Sequence, residues 1–293
     1  ATDSSGNIYV TGYTGGGLDG NTSAGGWDLF VVKYNSSGTK QWTKQLGTSS
    51  SDLAYGVATD SSGNVYVTGY TEGGLDGNTS VGKADLFVVK YNSSGTKQWA
   101  NQLGTWDTDF ANGVATDSSG NVYVTGSTYR SLDGNTSAGN ADLFVVKYNS
   151  SGTKQWTKQL GSSSNDYAND VVTDSTGNAY VTGTTYGGLD GNTSAGNADL
   201  FVVKYNSSGT KQWTKQLGTS STDTANGVAT DSSGNVYVAG GTYGGLDGNT
   251  SAGDNDLFVV KYNSSGTKQW TKQLGTSSTD SANGIAFGNN TFL

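Results

Sequence analysis

The sequence contains no proline, cysteine, methionine or histidine. Without cysteine there is neither a disulfide framework nor a thiolate metal site. Without cysteine and histidine, the commonest thiol nucleophile and general base of enzymes are missing. Basic residues are few: 16 Lys and Arg against 24 Asp and Glu give a formal charge of −8. A phosphate backbone calls for a basic stripe, so nucleic acid is not expected as a partner. No apolar run approaches the roughly 20 residues that cross a bilayer, so membrane insertion is not expected. No leader is recognisable, and the chain starts at Ala1 inside a repeat, as expected of a processed product or a fragment.

What is abundant is glycine, 46 of 293 residues, together with Ser, Thr, Asn and Asp. Such a composition is shared with disordered chains, but disordered chains are poor in aromatics. Here aromatics make up 11%, enough to build a core. The glycines are also ordered in sequence. The block ATDSSGNIYVTGYT at Ala1 returns at Ala58, Ala115, Val172 and Ala229, always 57 residues on. The expected organisation is one domain of five repeats (1–57, 58–114, 115–171, 172–228, 229–285) with a tail, 286–293.

Each repeat reads as four strands. In the first copies these are Ala54–Thr59, rich in small residues; Asn7–Thr14, where Ile8 and Val10 alternate with Tyr9 and Thr11; Asp28–Tyr34, apolar on both faces; and Lys40–Leu46, with Trp42 and Leu46 on one face. No segment holds an apolar helical period. DSSGN and NSSGT place Asp or Asn first and Gly fourth, which suits tight hairpins with glycine at positive φ. The other two connections, TGGGLDGNTSAGGW and GTSSSDL, are longer. Each repeat is therefore expected to be a four-stranded antiparallel meander with two short turns at one end and two long loops at the other. Radial repetition of such sheets gives an all-β β-propeller, here five-bladed. A parallel β-helix is the rival architecture, but its coils favour shorter repeats and need no paired hairpins. The spare copy of the small-residue strand, Ala282–Ala286, is expected to complete the first blade, leaving FGNNTFL without a place.

The run DSSGNVYVTGYT (Asp60–Thr71) followed by DLFVVKYNSSG (Asp85–Gly95) resembles the bacterial SBBP β-propeller repeat, and both halves recur in every copy. That family is named for a predicted seven-bladed propeller and occurs in large secreted or surface proteins. The resemblance implies a propeller and an exported protein, and it implies no catalytic residues. Five repeats rather than seven is a departure that leaves the blade number open.

Where the copies differ, they differ mostly in or beside the long loops. One such column runs Tyr13, Tyr70, Ser127, Thr184, Gly241, next to Gly15, Glu72, Tyr129, Tyr186, Tyr243. Another is Trp27, Ala84, Ala141, Ala198, Asn255, and a third is Leu53, Phe110, Tyr167, Thr224, Ser281, beside the single Trp106–Asp107. Drift in solvated loops accounts for this; so does a binding face that has diverged from blade to blade. On the second reading the candidate ligand-binding residues are Trp27, Trp106, Phe110, Tyr129, Arg130, Tyr186 and Tyr243. The KQW tryptophans such as Trp42 fit packing between blades better than sugar stacking. The columns of Asp19, Asp28 and Asp52 belong to the long-loop end, and those of Lys33 and Lys40 flank the opposite turn, so an acidic loop face is expected.

Asp19, Asn21 and Ser23, with Asp28 following, place oxygen ligands on alternate residues, as Ca²⁺ loops do, though without the full calcium-loop pattern. They and their repeat equivalents are the candidate metal ligands, with Ca²⁺ the one cofactor considered. Asx turns account for the same residues without a metal. Asn-x-Ser/Thr recurs at Asn21 and Asn35 in every unit and once at Asn289; turn chemistry or, in a eukaryotic secreted chain, glycans would explain it. A carboxylate pair such as Asp28 and Asp52 would suit a glycosidase at the right spacing, but five equal copies argue against catalysis. The expectation is a non-enzymatic extracellular module that binds or scaffolds, with glycans or another surface protein as partners. A multivalent lectin and a structural spacer of a larger surface protein are the alternatives.

Overall fold

A computed structural model describes residues 1–287, and Asn289 with the rest of 288–293 lies outside the described residues. Among those described, 19 strands form five antiparallel sheets. Sheet one contains β1 (Ile8–Thr14), β2 (Asp28–Tyr34) and β3 (Lys40–Leu46). Sheet two contains β4 (Asp52–Thr59), β5 (Val65–Thr71), β6 (Asp85–Tyr91) and β7 (Lys97–Leu103). Sheet three contains β8 (Asp109–Thr116), β9 (Val122–Thr128), β10 (Asp142–Tyr148) and β11 (Lys154–Leu160). Sheet four contains β12 (Asp166–Thr173), β13 (Ala179–Thr185), β14 (Asp199–Tyr205) and β15 (Lys211–Leu217). Sheet five contains β16 (Asp223–Thr230), β17 (Val236–Thr242), β18 (Asp256–Tyr262) and β19 (Lys268–Leu274). Every sheet is a meander in chain order. The third and fourth strands of a repeat have the expected bounds, and the first starts two residues earlier, at Asp52 rather than Ala54.

The chain divides into two compact units, Ala1–Gln159 and Leu160–Leu293. In the first unit, Tyr9, Leu29 and Val31 of sheet one pack with Val65, Val67, Phe87 and Val89 of sheet two. The opposite face of sheet two sends Tyr66, Leu86 and Val88 against Val122, Val124, Phe144 and Val146 of sheet three. Strand β6 thus feeds two cores, which is why DLFVVKY is apolar on both faces. In the second unit Tyr180, Leu200 and Val202 meet Val236, Val238, Phe258 and Val260 in the same way. Burial of each such side chain stabilises by about 1.5–3 kcal/mol.

Two features set the loops. The DSSGN and NSSGT turns close as expected: Asp60 Oδ1 accepts from the N–H groups of Ser62 and Asn64, Asn92 Oδ1 accepts from those of Ser94 and Thr96, and Gly63 and Gly95 have φ of 75° and 80°. The second feature was not expected. Within the longer loop, Leu18–Gly20 and its four equivalents form a single 3-10 turn in which the Asp (Asp19, Asp76, Asp133, Asp190, Asp247) has φ of 52–56°. The Gln of the outer strand ties this turn down; Gln102 Oε1 accepts from the Leu75 N–H at 2.9 Å and Gln102 Nε2 donates to Gly73 O at 3.0 Å. The loop therefore folds back along its own outer strand.

The expectation for the C-terminal strand needs correction. Sheet one has three strands, and Ala282–Ala286 forms no strand. The segment lies against β16: Asn226 Nδ2 donates to Ala282 O at 2.9 Å, as Asn169 Nδ2 does to Ala225 O at 2.8 Å. The Ala282 N–H donates to Gly240 O at 3.3 Å. It takes beside β16 the place that β16 takes beside β12: in each case the Asn amide sits on the earlier strand and an Ala carbonyl of the later segment accepts from it.

Candidate functional site

The long-loop end is where the copies differ, and its chemistry starts from the inner strand. A β-bulge follows Ala54, and its counterparts follow Ala111, Ala168 and Ala225. Bulges re-aim a side chain. In sheets four and five the re-aimed residue is the Asn just described; in sheet two it is Tyr55, which is exposed and lies 5.9 Å from the Tyr70 ring. Tyr70 in turn meets Phe110 edge-on at 4.8 Å. Partial desolvation pushes the Tyr55 hydroxyl up to about 12.

Of the candidate ligand-binding residues, Trp27 is exposed and stands edge-on to Tyr13 at 5.4 Å. Trp106 is the most exposed tryptophan, at 61%. The Arg130 guanidinium lies 4.2 Å from the Trp106 ring centre, and Arg130 Nη2 is 3.0 Å from Asp107 Oδ2. Lys83 Nζ donates to the other Asp107 oxygen at 2.8 Å. The Lys83 hydrogen bond, together with the Arg130 charge, holds the Asp107 carboxyl below the usual carboxylate range. Tyr129 is half-buried and joins the loop through its N–H to Thr108 O. In the second unit Tyr186 is exposed and edge-on to Tyr167 at 6.2 Å, and Tyr243 is half exposed. In the first unit, then, Trp106 and Arg130 come together, Phe110 belongs with the Tyr55–Tyr70 rings, and Trp27 has Tyr13.

The acidic loop face is not found, because each of its columns is consumed internally. Asp19 sits on the folded-back turn and pairs with Lys40, and the four equivalents pair with Lys97, Lys154, Lys211 and Lys268. Thr157 and Thr214 add hydroxyl donors to Asp133 and Asp190 at 2.6 Å. Asp28 is fully buried and accepts from the Ala24 N–H at 2.8 Å and from Gln45 Nε2 at 2.7 Å. Asp52 is also fully buried; it accepts from the Thr48 N–H at 2.6 Å and from the Thr48 and Thr71 hydroxyls, while burial raises its carboxyl above the usual range.

These contacts also describe the candidate metal ligands. Asn21 Nδ2 donates to Leu18 O, and Ser23 Oγ donates to Gly25 O. One oxygen, Asp28 Oδ1, is buried without a partner, as are Oδ1 of Asp85, Asp199 and Asp256. It is packed against Gly47, where a Cβ would lie 2.1 Å away. Among the described residues, no three His, Cys, Asp or Glu side chains come together as a metal-binding group.

Trp42, Trp99 and Trp213 pack between sheets as expected: Trp42 Nε1 donates to Ser93 O at 3.3 Å, as Trp99 does to Ser150 O and Trp213 to Ser264 O, and the Trp42 ring is 6.0 Å from Tyr9; Trp270 is exposed. A cleft of about 310 Å³ lies at the short turns, lined by Asp3, Lys33, Ser62 and Ser93. Its lining is the same in nearly every copy, so it offers no individuality. No helix among the described residues is long and apolar enough to cross a membrane.

A sequence profile for the SBBP beta-propeller repeat matches residues 1–19, 41–76, 98–132, 155–190 and 212–247. Regulatory protein FlaEY of Caulobacter vibrioides is 26% identical over 244 residues, a match that takes in 72% of this chain and 26% of that protein. An uncharacterized WD repeat-containing protein of Acanthamoeba polyphaga mimivirus is 28% identical over 228 residues, covering 60% of this chain and 16% of its own length. Among solved structures, a protein of unknown function from Bacteroides caccae aligns over 95% of this chain and 97% of its own, with 11% identity and a TM-score of 0.42. An endo-arabinanase from Bacillus licheniformis aligns over 92% and 95% respectively, with 10% identity and a TM-score of 0.41.

Proposed function

Since the chain belongs to the SBBP family of β-propeller repeats, we propose that it is a non-catalytic extracellular module whose blades present their long-loop ends for binding. The observation that carries this reading is the placement of its variation. Repeat-invariant acids and amides are spent on holding the loops, whereas exposed Trp27, Trp106, Tyr186 and Tyr243 stand at loop positions that differ between copies. Rings left outside a core in this way cost solvation and suit recognition. The non-catalytic part of the reading is supported by the same use of the acids: buried Asp28 and Asp52 are engaged by backbone N–H groups, side-chain amides and hydroxyls. A regulatory protein and a WD repeat-containing protein among the relatives fit such a role. The matched segment covers only 26% and 16% of those proteins, so what it shares with them is a module and not their whole activity. Extracellular placement rests on the family resemblance and is read by protease accessibility on intact cells.

The test is a glycan and protein array probed with the chain and with a variant carrying Trp27→Ala, Tyr186→Gly and Tyr243→Gly, in Ca²⁺ and again in chelator. Binding lost in the variant supports the long-loop face. Binding equal in both proteins, and equal again in Trp106→Ser, sinks it. Loss in chelator would assign the Asp19–Asn21–Ser23–Asp28 loop to Ca²⁺. The lectin reading is favoured by the exposed rings, with a difference from the sequence-based picture: the rings are unlike from blade to blade, so unequal sites rather than five equal ones are proposed.

A further inference from the structure

Resting on that long-loop reading, we propose that Trp106, Arg130 and Lys83 form a single site for a carboxylated sugar, a uronic-acid oligosaccharide, in the first unit. Four departures from the repeat meet at one place, and they come from three different loops. The Trp106–Asp107 pair replaces a Ser-Ser that all four other copies keep (Ser49–Ser50, Ser163–Ser164, Ser220–Ser221, Ser277–Ser278). Arg130 is the only arginine in the chain and replaces Gly16, Gly73, Gly187 and Gly244. Lys83 stands where the others have Gly26, Asn140, Asn197 and Asp254. Independent drift would scatter such changes. Here they are joined by the Lys83–Asp107 and Arg130–Asp107 ion pairs and by the guanidinium over the indole.

Position 130 is also not an idle place for a side chain. In three sibling copies a Cβ there would meet the preceding Thr or Ser hydroxyl: 2.5 Å for Gly73 and Gly187, and 2.8 Å for Gly244. At Gly16 the position is open, so arginine stands at 130 where three of its four siblings crowd a Cβ.

The chemistry follows from charge and shape. Two cations share one carboxylate, leaving one positive charge uncompensated beside an exposed ring on a chain of net charge −8. Arg130 Nη2 is committed to Asp107, and its Nε is buried without a partner. The cationic side chains that remain open to solvent are Lys83, 69% exposed, and Arg130, 44% exposed. An indole stiffened by a stacked guanidinium offers a flat apolar platform to the C–H face of a pyranose. The carboxylate at C6 of a uronic acid then reaches the neighbouring cations, a charge-assisted contact. A neutral sugar would use the platform and leave the charge unanswered. An acidic peptide would use the charge without needing the ring.

The test is isothermal titration of the whole chain with tetragalacturonate, a neutral galactose tetramer and tetraglutamate. The variants Trp106→Ser and Arg130→Gly carry the residues the sibling copies fold with, so loss of binding is not loss of fold. The expected result is one tetragalacturonate per chain, with at least tenfold weaker binding of the neutral tetramer, of tetraglutamate, and of tetragalacturonate to either variant. Affinity should also fall as salt rises. An unchanged affinity in Trp106→Ser overturns the site, and so does tetraglutamate binding as tightly as the sugar. Equal binding of neutral and acidic tetramers, both lost in Trp106→Ser, overturns the uronate assignment and leaves the long-loop reading standing. Failure of all three probes, with array binding still lost in the Trp27, Tyr186 and Tyr243 variant, also overturns this site alone.

Discussion

Asp170 is the one carboxylate set where its siblings have glycine on the inner strand, at the position of Gly56, Gly113 and Gly227. It is half-buried, and burial pushes its carboxyl up from 3.8 to about 6, even though the N–H groups of Val171 and Val228 donate to it at 2.8 and 3.0 Å. An acid whose folded pKa is raised holds its proton in the native state after the unfolded chain has lost it. Stability is therefore fully present below about pH 4 and falls as pH rises towards 6. At about 1.4 kcal/mol per pH unit the fall amounts to about 3 kcal/mol, with solvent screening reducing it towards half of that. Asp170→Asn removes the titration. The amide cannot accept from both N–H groups, which costs about 1 kcal/mol at every pH. That constant cancels when the stability difference between variant and parent at pH 8 is compared with the difference at pH 4. Urea unfolding followed by tryptophan fluorescence at both pH values measures it. The variant should gain about 1.5–3 kcal/mol on the parent between pH 4 and pH 8. A difference that stays constant across that range would refute the reasoning.

Four further outcomes follow from the loops and the turns they brace. Gly104→Ala places a Cβ 2.0 Å from Asp85 Oδ1 and should cost about 2 kcal/mol or more, read as a lower urea midpoint. Gly77→Ala, at φ 82° with open space around it, should cost about 1 kcal/mol through backbone strain alone, and a larger loss than Gly104→Ala would contradict the packing account. Asp133→Asn keeps a residue that tolerates the left-handed turn but gives up the Lys154 ion pair, so it should cost less than about 1 kcal/mol and lose that effect in 1 M salt, whereas Asp133→Val should cost clearly more. Tyr66→Phe removes the hydroxyl that donates to Asp60 at 2.9 Å and should cost about 1 kcal/mol, with an unchanged midpoint arguing that the backbone donors alone satisfy that carboxylate.

The repeat, the strands and the short turns were legible because each depends on neighbours in sequence. Asp60 and Asn92 bind N–H groups two and four residues away, and alternation marks the strands over seven. The loop electrostatics were not legible, because they depend on a reversal. Asp19 meets Lys40 across 21 residues once the left-handed Asp folds the loop back, and Gln45 secures that fold to the Leu18 N–H across 27. A signal was present all the same. Lys40 and Gln45 recur unchanged in an outer strand of every copy, which solvent exposure alone does not require. The site at Trp106 was visible only as single departures at separate loops. Only the fold brings Lys83, Asp107 and Arg130 into one network.

The contact that holds one sheet to the next has a direction. Lys33 Nζ and Trp42 Nε1 of one repeat both donate to Ser93 O in the turn of the following repeat, as Lys204 and Trp213 do to Ser264 O. Donor and acceptor are different parts of the same 57-residue motif. Any copy inserted by duplication therefore arrives with a socket for the copy before it and a plug for the copy after it. The array can lengthen or shorten by whole units without a compensating change elsewhere, and each unit remains free to alter its long loops, which carry neither half of that joint.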